Sequence, residues 1–131
     1  MIEIKPDRKE EIKKMLCSCD ECINSNEILK NLQEIGDALK SNENIENLAN
    51  FMSALASKER IIIIKNLINQ DRCVCEIETI LDKSQSTVSH HLKKLENIGL
   101  IKGWKKGNFT YYGLEREKFN FYLKIVNEEF S

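Results

Sequence analysis

The chain holds a single proline, Pro6, and only five glycines, which excludes collagen-like, linker-rich and low-complexity architectures. It has no apolar run approaching the length of a membrane span, and no membrane partner is expected. Met1 to Glu10 is too charged for a secretory signal, so the expected compartment is the reducing cytoplasm. There is no glycine-rich phosphate loop, no pair of catalytic carboxylates and no Ser/His constellation, so no enzyme is expected. An excess of one charge is missing too, since 20 Lys and Arg stand against 21 Asp and Glu. The remaining composition, 41% hydrophobic and 31% charged over 131 residues, suits one globular domain with a real core.

The near-neutral balance hides an uneven distribution. Between Lys83 and Tyr112 lie six lysines, at 83, 93, 94, 102, 105 and 106, against one acid, Glu96. A basic segment in an otherwise acidic chain is either a solvated lysine-rich face or a phosphate-binding one, and the order of elements decides between them.

Apolar spacing predicts that order. A short helix or arm covers 7–16, with Ile12, Met15 and Leu16 at helical spacing. A helix capped by Ser25 or Asn26 runs to about Leu39, with Ile28, Leu29, Leu32, Ile35 and Leu39 on one face. A third starts near Ile45 and carries Leu48, Phe51, Met52 and Leu55. The next, capped by Ser57, contains Ile61 to Ile64; β-branched runs favour strands, but Ile61, Ile64, Leu67 and Ile68 keep the helical period. A short helix follows with Val74, Ile77, Ile80 and Leu81 inward, then the turn Asp82-Lys83-Ser84. Ser84 caps a longer helix whose inward stripe is Val88, Leu92 and Leu95 and whose stop is Gly99. Leu100–Trp104 and Phe109–Leu114 read as strands joined by a turn over 105–108. A last helix, with Phe119, Tyr122, Leu123, Val126 and Phe130 on its apolar side, ends the chain.

Short helix, tight turn, longer helix and basic hairpin make a winged helix-turn-helix, in a mainly α fold with a β-hairpin wing (an α+β class). The expected division is an arm over 1–26 and a DNA-binding and dimerisation part over 27–131. The N- and C-terminal helices have apolar faces to spare, which predicts a homodimer packed through them. Double-stranded operator DNA is the expected ligand. Ser84, Gln85, Ser86, Thr87, Ser89, His90 and Lys93 are the candidate contacts on the second helix of the turn motif. Short hydroxyl and amide side chains at a helix start reach base edges without holding the helix off. Lys102, Lys105 and Lys106 on the wing are candidate phosphate contacts. His91 reads instead as a packed histidine facing the core.

The five cysteines form two clusters, Cys17/Cys19/Cys22 and Cys73/Cys75. Clustered thiolates suit soft ions, so the expected effector is As(III), Cd(II), Pb(II) or Zn(II). Residues i and i+2 of a regular helix point about 200° apart, so Cys73 and Cys75 share an ion only where the backbone is not helical. Arg72 beside them would favour the thiolate but also adds charge next to a cation site. Two other readings stay open: a dithiol redox switch, since Cys19 and Cys22 have a redox spacing, and a regulator with a non-metal signal whose cysteines are incidental. A disulfide oxidoreductase is not supported, because nothing before Cys19 reads as a strand.

Ala54-Leu-Ala-Ser-Lys-Glu-Arg60, Ser84-Gln-Ser-Thr-Val-Ser-His-His-Leu92 and the wing after them resemble the ArsR/SmtB family of metal-responsive repressors over about residues 45 to 115. Cys73-Val-Cys75 resembles the cysteine pair of its arsenic and cadmium/lead branches. The resemblance implies a homodimeric repressor that binds an operator near its own promoter and releases it when metal binds. It also implies that arm cysteines join Cys73 and Cys75 of the partner subunit, although the arm's spacing does not decide which. Arg72 departs from the apolar residue usual there. The family's other site, on the C-terminal helix, needs histidines that this helix lacks; Glu115, Glu117, Glu128 and Glu129 alone would make a poor zinc site, so none is expected.

Overall fold

The computed structural model describes residues 3–16 and 25–131, so Cys17, Cys19 and Cys22 lie outside the described residues. Packing divides the chain into two compact units, Met1–Asn42 and Glu43–Ser131.

The first unit contains α1 (Pro6–Leu16) and α2 (Ser25–Lys40). Proline at the first helical position costs nothing, because that N–H has no helical partner. Ile4, Ile12, Leu29, Leu32 and Gly36 line a shallow groove between them. Neither helix buries a residue fully. This grouping sets α2 with α1, whereas the expected arm ended at residue 26.

The second unit runs α3 (Glu43–Leu55), α4 (Lys58–Asn69), β1 (Arg72–Cys73), α5 (Val74–Leu81), α6 (Gln85–Asn97), β2 (Ile101–Lys106), β3 (Phe109–Leu114) and α7 (Arg116–Glu129). Phe51, Ile63, Ile64, Leu67, Ile77, Val88, Leu92, Leu95, Leu100, Ile101 and Tyr122 form one core, with α7 joined to α3 through the stacked rings of Phe51 and Tyr122. The mainly α fold with a wing is the one the sequence predicts.

The isoleucine run is helical, and Ser57 caps it by accepting from the Arg60 N–H. Its buried face is Arg60, Ile63, Ile64 and Leu67, so Ile61, expected inward, is 48% exposed. An arginine has taken the inward position one residue earlier. On α5, Val74, Ile77 and Leu81 share an arc of about 60°, and Ile80, expected inside, falls off its edge and is exposed. On α7, Ile125 joins Tyr122 inside, while Leu123 and Phe130 face out.

Gly99, at φ 78°, ends α6 as expected. β2 extends to Lys106, so the hairpin turn shortens to Gly107-Asn108, with positive φ confined to Gly107. That is the pattern of a type II′ hairpin. The sheet has three strands in the order β1-β3-β2, all antiparallel. β1, unexpected from the sequence, adds Arg72 and Cys73 opposite Tyr112 and Tyr111 of the wing.

Candidate functional site

The turn between α5 and α6 is built by two local devices. Asp82 takes a left-handed conformation (φ 51°), and its N–H closes on the carbonyls of Glu78 and Thr79. Ser84 then starts α6, its Oγ accepting from the Thr87 N–H at 3.3 Å. Val88, Leu92 and Leu95 bury the inner face of α6 almost completely. Gln85, Ser86, Ser89, His90 and Lys93 are left exposed on the outer side, with Thr87 half-buried beside them. Ser84 Oγ also lies within hydrogen-bond distance of Ser86 and Thr87 hydroxyls, so these three form one polar cluster at the helix start. Unsatisfied N–H groups and hydroxyls gathered there suit an anion or the edge of a base.

The wing separates its three lysines. Along β2 alternate residues face opposite sides, so Lys102 and Lys106 share a face with Trp104, and Lys105 lies on the other. Lys102 Nζ is 3.1 Å from Glu115 Oε1, and Lys106 Nζ sits over the Tyr111 ring. All three lysines are exposed.

The cysteine pair sits where the backbone changes character. Cys73 is the N-cap residue of α5, extended at φ −79° and ψ 160°, and Cys75 is in the helix's first turn. The helical divergence of i and i+2 therefore does not apply, and the two sulfurs converge to 2.6 Å. Cys73 is buried and Cys75 exposed, both as free thiols. A shared ion with metal–sulfur bonds of about 2.3 Å would need them roughly 1 Å farther apart. The donor set and its convergence fit two thiolate ligands of a soft ion. Among the described residues, no three His, Cys, Asp or Glu side chains gather as a metal site.

Glu76 organises this corner. One carboxylate oxygen accepts from the Cys73 N–H at 2.9 Å, and the other from Arg72 at 3.1 Å. The Cys73 N–H and side chain, then Arg72, hold the Glu76 carboxyl below its ordinary pKa. Arg72 is thus engaged by Glu76. The Cys73 thiol is pushed up, first by its hydrogen bond with Cys75 and then by burial. Arg72, whose net effect on the pair the sequence left open, is not among the causes of that rise.

Two features escaped the sequence reading. One is β1, which fixes Cys73 onto the wing; two residues carry no period that could reveal it. The other is Arg60, buried and bonded to His91 at 3.0 Å; an arginine standing on an apolar helical stripe was the available signal. Of the acids on and beside α7, Glu115 and Glu128 pair with Lys102 and Lys124, and Glu129 accepts from Asn44.

Two helices joined by a three-residue turn, the second followed at once by an antiparallel hairpin, define a winged helix-turn-helix protein. Residues 57–102 match the family described as bacterial regulatory protein, arsR family. A helix-turn-helix transcriptional regulator of Methanocaldococcus jannaschii is 37% identical over 60 residues, 46% of this chain and 67% of that one. The chain belongs to the arsR family of transcriptional regulators. The cadmium resistance transcriptional regulatory protein CadC of Listeria innocua is 36% identical over 66 residues, 50% of each chain. The arsenical resistance operon repressor of Bacillus subtilis is 42% identical over 48 residues, 37% of this chain and 46% of that one. The chain thus spans about half the length of these cadmium and arsenical relatives. Among solved structures, a homodimeric winged helix-turn-helix DNA-binding domain from Mycobacterium bovis superposes with a TM-score of 0.54 at 25% identity, covering 65% of this chain and 82% of that one.

Proposed function

We propose that this regulator is a homodimeric repressor that holds operator DNA with α6 and the wing and lets go when Cys73 and Cys75 take a soft metal or metalloid ion. The observation that carries the reading is the position of Cys73, which caps α5 and also pairs with Tyr111 of β3. α5 supports α6, and β3 is half of the wing, so moving the two sulfurs apart disturbs both proposed DNA-contacting elements from one point. A rearrangement of this size need supply only about 1–3 kcal/mol of coupling. The relatives that act in cadmium resistance and arsenical resistance favour Cd(II) or As(III) over Pb(II) or Zn(II) as the effector. Residues 1–26 act as the arm in this reading, and Cys17, Cys19 and Cys22 supply the ligands that two thiols cannot.

The raised Cys73 pKa gives the binding a direction with pH. The thiol must lose its proton to become a ligand, so ion affinity rises with pH. The test is fluorescence-anisotropy binding of the reduced protein to a duplex of its own promoter, alone and with As(III), Cd(II) or Zn(II). Weakening by one ion that disappears in Cys73→Ser/Cys75→Ser supports the reading, and binding indifferent to every ion overturns it. Convergence of the two sulfurs also favours a second reading, a dithiol switch, which would show as an oxidant response with the same variant dependence.

A further inference from the structure

Arg60 is the one charged side chain buried among the described residues, 7% exposed, and it stands on the stripe that otherwise holds Ile63, Ile64 and Leu67. A buried guanidinium is costly unless its donors are used. Nε donates to the Ala54 carbonyl at 2.5 Å and Nη2 to the Ser53 carbonyl at 3.5 Å, both in the last turn of α3 where carbonyls run out of helical partners. Nη1 lies 3.0 Å from Nδ1 of His91, midway along α6. Arginine has no acceptor and keeps its charge, so Nδ1 accepts and the ring proton sits on Nε2. This contact exists only while the imidazole is neutral.

We propose that Arg60 and His91 are positioning residues for the DNA-reading helix: the guanidinium ties neutral His91 to the α3–α4 corner, and protonating His91 frees α6. The proposal rests on the reading of α6 as a DNA-contacting helix. Neither residue is among the proposed DNA contacts. His90, one position away, is exposed on the outer side, while His91 is half-buried, so adjacent histidines divide between contact and support.

The charges around His91 agree. Burial and then Arg60 hold it below its ordinary pKa, with His90 and Lys94 on α6 acting the same way and only Glu59 on α4 opposing them. Glu59 is itself tied to its own backbone and to the Ser57 hydroxyl, and Lys83 from the turn also acts on it. The tie is therefore complete above the ordinary histidine value of about 6.5 and is lost as pH falls through the lower folded value.

Anisotropy with a promoter duplex, for the full chain between about pH 8 and pH 5.5, tests this alongside His91→Asn, which keeps a short acceptor but does not titrate in this range. The parent should lose roughly tenfold in affinity on acidification, the order of one charge-assisted hydrogen bond, and His91→Asn should stay flat. Parallel pH profiles for parent and H91N would overturn the proposal. His91→Ala, checked by thermal melting for folding, should bind weakly even at high pH; parent-like binding by a folded H91A would also overturn it. If no form binds DNA, the DNA reading fails separately, and NMR of the free protein decides the tie. α6 amide shifts that follow His91 titration in the parent and vanish in H91N would uphold it, and their absence would end it.

Discussion

α2 and α6 carry apolar residues at the same helical spacing and end in opposite conditions. Val88, Leu92 and Leu95 of α6 are at most 1% exposed, whereas Leu32, Ile35 and Leu39 of α2 are 50%, 56% and 50% exposed. The pattern of a sequence therefore shows that a helix face needs cover, without saying what supplies it. For α6 the cover comes from the helices and wing of its own unit. For α2 its own unit leaves about half of each of these side chains uncovered, and in the proposed dimer a second copy would provide the rest.

The contrast breaks most visibly in the core. Leu92→Ala should cost about 2–5 kcal/mol, read from urea denaturation, because the site is filled from every side. Leu32→Ala, of similar chemistry, should barely change the stability of dilute protein. Equal losses at the two positions would mean that α2 is covered from within the chain.

Next in size is the effect on association. Leu32→Asp with Ile35→Asp should shift the protein from dimer to monomer in sedimentation while leaving the helical circular dichroism intact. A dimer that persists in this variant removes α2 from the proposed interface and leaves α7, where Phe121, Leu123 and Phe130 are also exposed, as the face to test.

What could be read from residues alone follows the same division. The α6 stripe, the Ser57 and Ser84 caps, the Asp82–Ser84 turn and the Gly99 stop were all legible, because each depends on neighbours a few residues away. Ile61 and Ile80 were misplaced because a period fixes which residues share a face and leaves its edges to tertiary packing. Arg60 broke the reading of α4 by occupying a position that polar residues normally avoid. The cysteine pair was legible as a conflict, since a regular helix would have driven Cys73 and Cys75 apart. The resolution, an extended cap residue paired to the wing, needs a contact nearly forty residues away in sequence and so could not be seen. The candidate contacts on α6 follow from its inner stripe, but the two-sided placement of Lys105 and Lys106 follows from the extra length of β2.

The smallest effects separate the starts of the two helices of the turn motif. α6 begins on a hydroxyl, and Ser84→Ala should cost about 1 kcal/mol whatever the pH, because nothing in that cap titrates. α5 begins on a carboxylate that bonds the Cys73 N–H. A carboxyl held low in the folded state contributes stability above its ordinary pKa of about 4.3 and loses it as pH falls through the folded value. Denaturation midpoints of the parent should therefore decline in that acid range, and Glu76→Gln, which keeps an acceptor without a charge, should flatten part of the decline. The same substitution removes the carboxylate whose bond with the thiol helps to hold it up, so the Cys73 pKa, followed by alkylation rate against pH, should move down. An unchanged Cys73 rate would mean that the Cys75 hydrogen bond and burial alone set that thiol.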